Sequence, residues 1–549
     1  MGEALPGEWW RTAVVYQVYP RSFADGNGDG IGDIAGLRGK LGYLQQLGVD
    51  ALWINPWYPS PMSDGGYDVI DYRDIHPDFG TLAEAEALIE EANAAGIRII
   101  IDVVPNHCSE ANVWFQAALA AGPGSAERER FWFRRGRGEH GDIPPNNWKS
   151  IFGGDAWTRT TDADGTPGEW YLHLFAPEQP DFNWNNRDVH QEFEGVLRFW
   201  FDRGAAGIRI DSAALCVKDA DLPDLPDLSA DPDDTTPNPF TDLDGVHEVY
   251  RAWRRIADSY DDRVLIGEVW LPDPVRFAMY LRPDELHTCF NFDFMARPWD
   301  ATEMRASIDA TLEFNGPLDA PATWVLSNHD VTRPVTRYGR EDTSFSFAAK
   351  RFGVPSDLEL GTRRARAAAL LAAALPGSLY VYQGDELGLP EAEDIPLSKL
   401  QDPMHFRSGG VDPGRDGCRI PIPWTSDSPS LGFSPDDASG EPWLPQPVQW
   451  TGISAEAQDG DPSSMLTLYR DVIAARKEQP ALRGDDFEWL DLGTGVLAFR
   501  RGDSFACLLN MTTEDIALPT NSSVLLTSAP LVAGCVTADA AVWLSLAAD

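Results

Sequence analysis

The chain predicts an α/β fold: a (β/α)8 TIM barrel with a small domain inserted after its third strand and a β-sandwich at its C-terminal end. Three observations carry that prediction. Short apolar runs alternate with helical patterns in the manner of repeated βα units. Eight such runs occur along the 549 residues, and three carboxylates, Asp211, Glu268 and Asp330, stand at or just beyond the ends of three of them. Parallel strands of one barrel would bring all three acids to the same rim.

The expected strands are AVVYQVYP (13 to 20), ALWINP (51 to 56), RIIIDVV (98 to 104), GIRID (207 to 211), VLIGEV (264 to 269), CFNF (289 to 292), TWVLS (323 to 327) and SLYVY (378 to 382). Between them lie helices such as those expected over 34–48, 83–96 and 189–204, each ended by a glycine suited to a left-handed cap. Two connections are too long for ordinary loops. Residues 106–184, rich in Trp, Pro and Gly, read as a domain inserted beside the rim, and 383–455 as a long functional loop region after the last strand. The acidic stretch 219–245 reads as a solvated loop rather than a substrate-binding element. A helix over 463–478 is expected to close the barrel, and short strands with turns follow over 487–549. The expected division is therefore barrel 1–105, inserted domain 106–184, barrel 185–482 and C-terminal domain 483–549.

A formal charge of −42 disfavours nucleic acid and anionic membranes, which a polyanion repels at long range. The substrate is expected to be neutral or cationic. Six scattered cysteines without C-x-x-C spacing argue for reduced, mostly buried thiols. The first twenty residues have no basic segment followed by an apolar one, and no run of about 18 apolar residues reads as a membrane span. A cytoplasmic protein, monomeric or homodimeric, is expected.

Retaining cleavage of a glycosidic bond uses two carboxyls about 5 to 5.5 Å apart, one attacking the anomeric carbon and one protonating the leaving oxygen. Asp211 and Glu268 form the candidate pair. Arg209 lies two residues before Asp211 on the same strand face, which is expected to hold that carboxylate ionised and aimed. An ion pair serving only the barrel interior is the competing reading. Glu268 ends an apolar strand before Val269 and Trp270, a setting expected to raise its pKa and keep it protonated.

In order, DVVPNH (102 to 107), GIRIDSA (207 to 213), GEVW (267 to 270) and SNHD (327 to 330) resemble the four signature regions of glycoside hydrolase family 13, the α-amylase family. The resemblance spans the whole chain. It implies that Asp211 is the nucleophile, Glu268 the general acid/base and Asp330 the third acid, which grips sugar hydroxyls. His107 and His329 would hydrogen-bond the sugar. SDGGYDVIDY (63 to 72) resembles a family segment whose Asp and Tyr, here Asp64 and Tyr67, hold the terminal glucose, and in GRDGCRIPIPW (414 to 424) Arg415 is favoured over Arg419 as the arginine reaching it.

QPDFNW (179 to 184) resembles the QPDLNW motif of the oligo-1,6-glucosidase subgroup, which points to an exo-acting enzyme on short sugars. Ser212 after the nucleophile, where Val tends to accompany α-1,6 preference, implies an α-1,4-preferring α-glucosidase with possible transglucosylation. Oligo-1,6-glucosidase and sucrose or trehalose isomerases are the alternatives within the family; a non-catalytic carbohydrate-binding or transporter-associated relative is the alternative outside it. DGNGDGIGD (25 to 33) sets Asp25, Asn27, Asp29, Ile31 and Asp33 at alternate positions, as in the first part of a calcium loop, although Gly36 stands where an EF-hand needs Glu. Structural Ca2+, or Mg2+, is expected there, and no organic cofactor; a metal-free Asp/Gly turn is the competing reading.

Overall fold

The computed structural model describes residues 8–162, 164–226, 238–347 and 350–547. Its strands, in chain order, are β1 Val14–Val18, β2 Ala51–Ile54, β3 Arg98–Val103, β4 Phe133–Arg134, β5 Trp157–Thr161, β6 Pro167–Leu172, β7 Gly207–Ile210, β8 Val264–Gly267, β9 Thr288–Cys289, β10 Thr323–Val325 and β11 Ser378–Tyr382, followed by the C-terminal β12 Glu488–Leu490, β13 Val496–Arg501, β14 Phe505–Asn510, β15 Ile516–Ala517, β16 Ser522–Thr527, β17 Cys535–Val536 and β18 Ala540–Leu546. Eight of them form one parallel sheet in the order β10-β11-β1-β2-β3-β7-β8-β9. This is the predicted barrel, nearly closed on itself. Almost every residue of these strands is buried, as a barrel filled inside and covered by helices outside requires.

The two ends of the sheet, β9 and β10, meet through side chains instead of a backbone ladder. Thr323 Oγ1 donates to the Cys289 carbonyl at 2.6 Å and accepts from the Asn291 amide at 3.1 Å, while Thr288 Oγ1 donates to the Pro321 carbonyl at 3.1 Å. The expected strand over 289–292 is thus a correction: pairing stops at Cys289, and Asn291 caps a short helix, Phe292–Ala296, by accepting from the Phe294 amide. The expected helix 34–48 is likewise two helices, Ile34–Gly39 and Leu41–Leu47, interrupted at Lys40. Helix Leu82–Ala94 starts on a capping box made by Thr81 and Glu84, and helix Arg187–Asp202 on the Asn186 side chain.

Between β3 and β7 the chain forms a three-stranded antiparallel sheet ordered β4-β6-β5. The acidic stretch begins beside this domain and is mostly exposed over its first residues, with Asp224 paired to Arg137 at 2.7 Å and Trp148 Nε1 donating to the Pro223 carbonyl at 2.8 Å. Residues 227–237 of that stretch lie outside the described residues. The segment after β11 contains only short helical turns and folds back over the loop 25–33, with Asp25 N on the Phe433 carbonyl and Trp443 N on the Gly30 carbonyl. Gly30 has φ +93°, and a Cβ there would collide with the Glu441 carbonyl, so only glycine lets the two segments approach.

The C-terminal chain forms a five-stranded antiparallel sheet ordered β12-β13-β14-β18-β16 and a two-stranded sheet of β15 and β17. One face of the large sheet buries Val496, Ala498, Leu508 and Val542 with Val536 of β17; the other presses Phe505, Cys507 and Trp543 on the barrel's core. Trp543 is fully buried and its Nε1 donates to the Leu370 carbonyl of helix Leu358–Ala374 at 3.0 Å. Truncation leaves a cavity at the junction and removes that hydrogen bond. Trp543→Ala is expected to cost about 3 to 5 kcal/mol, read as a lower denaturant midpoint, and an unchanged midpoint would contradict this account of the junction.

Candidate active site

Asp211 follows β7 directly and Glu268 follows β8, while His107 and the pair His329 and Asp330 lie a few residues beyond β3 and β10. The barrel therefore delivers all of them to the C-terminal face of the sheet. With Asp64, Tyr67, Ser212 and Arg415 they line one cavity of about 550 Å3, whose remaining wall includes Phe152, Phe175, Trp270 and Phe347. Few polar groups converge in a largely apolar cleft of ligand size.

Arg209 lies beneath the acids, 2% exposed, with its guanidinium over the Trp53 ring. Its Nη1 contacts Asp102 Oδ1 at 2.8 Å and Asp211 Oδ1 at 2.9 Å, and its Nη2 contacts Glu268 Oε2 at 2.5 Å. The expectation that Arg209 singles out Asp211 as the ionised partner is corrected here. One cation serves three carboxylates, and Glu268 shares it fully. Glu268 is also less apolar in setting than its strand suggests, because Ser212 N donates to Oε2 at 3.0 Å and Trp270 Nε1 to Oε1 at 3.1 Å. Ser212 reaches the acid by adopting φ +46°, a left-handed conformation unusual for serine.

Burial, and then the charge of Glu268, raise the Asp211 carboxyl well above the ordinary aspartate range, against the pull of Arg209. Burial likewise pushes Asp102 up to about 6. Asp211 and Asp102 thus hold a proton more tightly than free aspartates do, in spite of the guanidinium beside them.

At the other end of the cavity Arg415 Nη2 meets Asp64 Oδ1 at 2.6 Å and its Nη1 meets Asp330 Oδ1 at 3.2 Å. Asp402, fully buried, holds the same guanidinium through Nε at 2.6 Å. Arg419 also reaches Asp330, at 2.8 Å, but only Arg415 lines the cavity and touches Asp64. Burial works against ionisation of Asp330, yet the His329 ring and the Arg415 and Arg419 guanidinia outweigh it and hold the carboxyl well below the usual range. His329 is itself driven well down by burial, so at neutral pH the two arginines supply that charge.

Burial drives His107 down to about 4. A neutral ring with Nε2 3.0 Å from the Tyr67 carbonyl carries its proton there, and Nδ1 then accepts from Asn106 Nδ2 at 3.1 Å. Tyr67 stacks on His329, ring centres 5.3 Å apart and 8° from parallel, which fixes one wall of the pocket.

Four supporting residues escaped the sequence reading: Asp102 on Arg209, Trp270 on Glu268, Asp402 on Arg415 and Gln179, whose Nε2 donates to Asp64 Oδ2 at 3.0 Å. Asp102, Trp270 and Gln179 stand inside quoted motifs, and that position was their signal. Asp402 lies in the irregular segment after β11, where nothing in the sequence marks it.

The loop 25–33 is separate from this cavity. Asp25 accepts from the amides of Asn27, Gly28 and Gly30, and Asp33 from those of Gly26, Asn27 and Gly36. Asn27 and Asp29 face solvent, their Oδ1 atoms bonded to the amides of Asp29 and Ile31. Among the described residues no cluster of three or more His, Cys, Asp or Glu is gathered as a metal site. The alternating oxygens are present, and the backbone amides already wrap the loop.

Residues 17–485 match the model of the alpha-amylase catalytic domain. A probable alpha-glucosidase of Rhizobium meliloti is 35% identical over 92% of this chain and 90% of its own length. The oligo-1,6-glucosidase of Parageobacillus thermoglucosidasius is 34% identical over 86% of this chain and 84% of its own. Among solved structures, the alpha-glucosyl transfer enzyme XgtA superposes with a TM-score of 0.85 at 34% identity, covering 98% of this chain and all of that one. A barrel with three acids at its rim, matched along nearly its whole length, makes the chain a glycoside hydrolase of the alpha-amylase family, glycoside hydrolase family 13.

The charge on Asp102 adds to the repulsion that raises Asp211. Removing it lowers the Asp211 pKa, so ionisation of Asp211 extends to lower pH. Asp102→Asn is expected to move the acid limb of kcat/KM for an α-glucoside downward by up to about one unit while lowering its maximum roughly tenfold through the loss of an Arg209 anchor. A limb that stays in place would count against this coupling.

Proposed function

We propose that the enzyme is an exo-acting, retaining α-glucosidase that releases glucose from the non-reducing end of short α-glucosides. The observation that carries this reading is the Asp64–Arg415 contact at 2.6 Å, buttressed by Asp402, in the wall of the cavity that Asp211 and Glu268 also line. A pocket closed there admits one terminal sugar and leaves no passage for a chain to continue. Asp330 and His329 line the same pocket, where a sugar's hydroxyls would find a carboxylate and a ring N–H.

Glu268 protonates the glycosidic oxygen as Asp211 attacks C1, so the bond to the leaving group breaks while an ester to Asp211 forms. Glu268, now without its proton, takes one from water, which displaces Asp211 and returns glucose with its α configuration. Which carboxyl plays which part follows the family's motif order, and the shared contact of both with Arg209 sets them side by side. Ser212, beside the nucleophile, favours α-1,4 over α-1,6 linkages. Transfer to an acceptor hydroxyl is a second reading, favoured by the likeness to XgtA and by the apolar Ile151, Leu215 and Phe347 on the open side of the cavity.

Trapping with an activated fluoroglucoside and mapping the labelled peptide is expected to find the sugar on Asp211; a label elsewhere sinks the assignment. Initial rates on maltose, isomaltose and sucrose, with free glucose measured against transfer products, test linkage and outcome: maltose should be cleaved fastest, with glucose the main product.

Asp25, Asn27, Asp29, Ile31 and Asp33 are assigned to structural Ca2+, or Mg2+, supported by their alternating oxygens on a glycine-bearing loop. Bound metal would tie this loop to the segment 433–443. Chelation is then expected to lower Tm by about 1 °C for each kcal/mol of binding free energy lost in a chain of this size, and restoring Ca2+ to reverse it; metal analysis that finds no divalent ion would retire the assignment. All six cysteines are free thiols, which supports a cytoplasmic setting, and no helix among the described residues is long and apolar enough to cross a membrane.

A further inference from the structure

Gln17 belongs to β1, on the barrel floor, and no part of the chemistry above uses it. It is 1% exposed, as buried as the core around it, and its amide lies between Asn55 and His329. A buried amide on a strand otherwise made of Val and Tyr is costly unless its hydrogen bonds have a purpose.

The direction of those bonds can be followed from one fixed end. Asp102 is placed to accept: both of its oxygens take Arg209 Nη1, at 2.8 and 2.9 Å, and Oδ2 also takes Trp53 Nε1 at 3.0 Å. Tyr67 Oη, 3.1 Å from Asp102 Oδ2, must therefore donate to it. Having given its one proton, the Tyr67 hydroxyl accepts from Asn55 Nδ2 at 2.6 Å. That turns Asn55 Oδ1 toward Gln17 Nε2 at 2.9 Å. An amide nitrogen has two protons and accepts nothing. Gln17 Nε2 thus donates one proton to Asn55 and the other to His329 Nδ1 at 2.8 Å.

We infer that Gln17 is a positioning residue, which makes Nδ1 of His329 an acceptor and so fixes the proton on Nε2, the nitrogen that faces Asp330 at 3.4 Å. The relay runs His329, Gln17, Asn55, Tyr67, Asp102, Arg209, and thus links the ring beside the third acid to the cation beneath Asp211 and Glu268. Its catalytic consequence rests on the α-glucosidase reading; the protonation pattern does not. The groups that face the ring are Asp330, Arg209, Arg415 and Arg419, with Tyr67 and Tyr19 stacked on it. With Nε2–H fixed, the ring donates toward Asp330 and any sugar hydroxyl between them. The opposite tautomer would turn a lone pair toward a carboxylate.

The pattern is read directly in the wild-type enzyme labelled with 15N-histidine, the His329 signals being identified by their loss in His329→Asn. An unprotonated Nδ1 and protonated Nε2 are expected; a protonated Nδ1 overturns the inference. Gln17→Glu gives the second reading. A carboxylate facing Nδ1 raises the pKa of the ring: below that value both nitrogens hold protons and Nε2–H is kept, while above it the single proton moves to Nδ1. The kcat/KM of Gln17→Glu should therefore gain a second alkaline limb beside the one that deprotonation of the general acid gives the wild type, with a fall of about tenfold or more above it. Gln17→Met, of similar volume but without a donor, should lose about tenfold at every pH, chiefly through KM, and gain no limb. If both variants lose activity with the wild-type pH profile, Gln17 only packs and the inference fails. Absence of α-glucoside hydrolysis in the wild type would instead count against the proposed function and leave the tautomer measurement standing.

Discussion

Arg209 holds Asp102, Asp211 and Glu268 on its two terminal nitrogens in a volume almost closed to water, so up to three negative charges share a single positive one. Breaking such a group by removing one partner is strongly destabilising, because an unpaired buried charge remains. The surrounding architecture meets that requirement. Trp53 covers the guanidinium, β3 supplies Asp102, β7 supplies Arg209 and Asp211, and β8 ends at Glu268. Neighbouring parallel strands in register put these four side chains, from three distant parts of the sequence, within reach of one another.

A second ionic group, around Arg415, governs the far end of the pocket and is built differently. Its members come from the loop after β2, the loop after β10 and the irregular segment after β11. Asp402 and Arg415 belong to that segment, which also bonds back onto the loop 25–33. A stretch without regular structure is thereby fixed at both ends, by ion pairs at the pocket and by backbone bonds beneath it.

Most of the barrel was legible because a buried parallel strand leaves a compact mark: an uninterrupted apolar run with a polar residue where it emerges. Asp211, Glu268, Asp330, His107 and His329 could be brought together from such marks and their order. What stayed hidden has physical reasons. Strand β9 was overextended because Phe290 and Phe292 continue the apolar pattern, whereas the Asn291 cap turns the chain into a helix. The charge assignment at Arg209 failed because sequence spacing relates Arg209 only to Asp211, and contact with Glu268 arises from strand neighbours. Asp402 escaped because irregular segments have no periodicity from which to infer a direction. Asp224 is exposed, as its composition suggested, but its pairing with Arg137, 87 residues away, has no mark in the local sequence.

The contacts of Arg415 have a consequence for affinity. In the free enzyme four of its five N–H donors are already engaged by Asp64, Asp330 and Asp402. A sugar hydroxyl that bonds to this guanidinium must for the most part exchange into a bond that exists. Exchanges of this kind return little net free energy. Glucose left in the pocket after hydrolysis would then be held loosely and depart readily, so that the same ion pairs which shape the recess also keep it from retaining its own product.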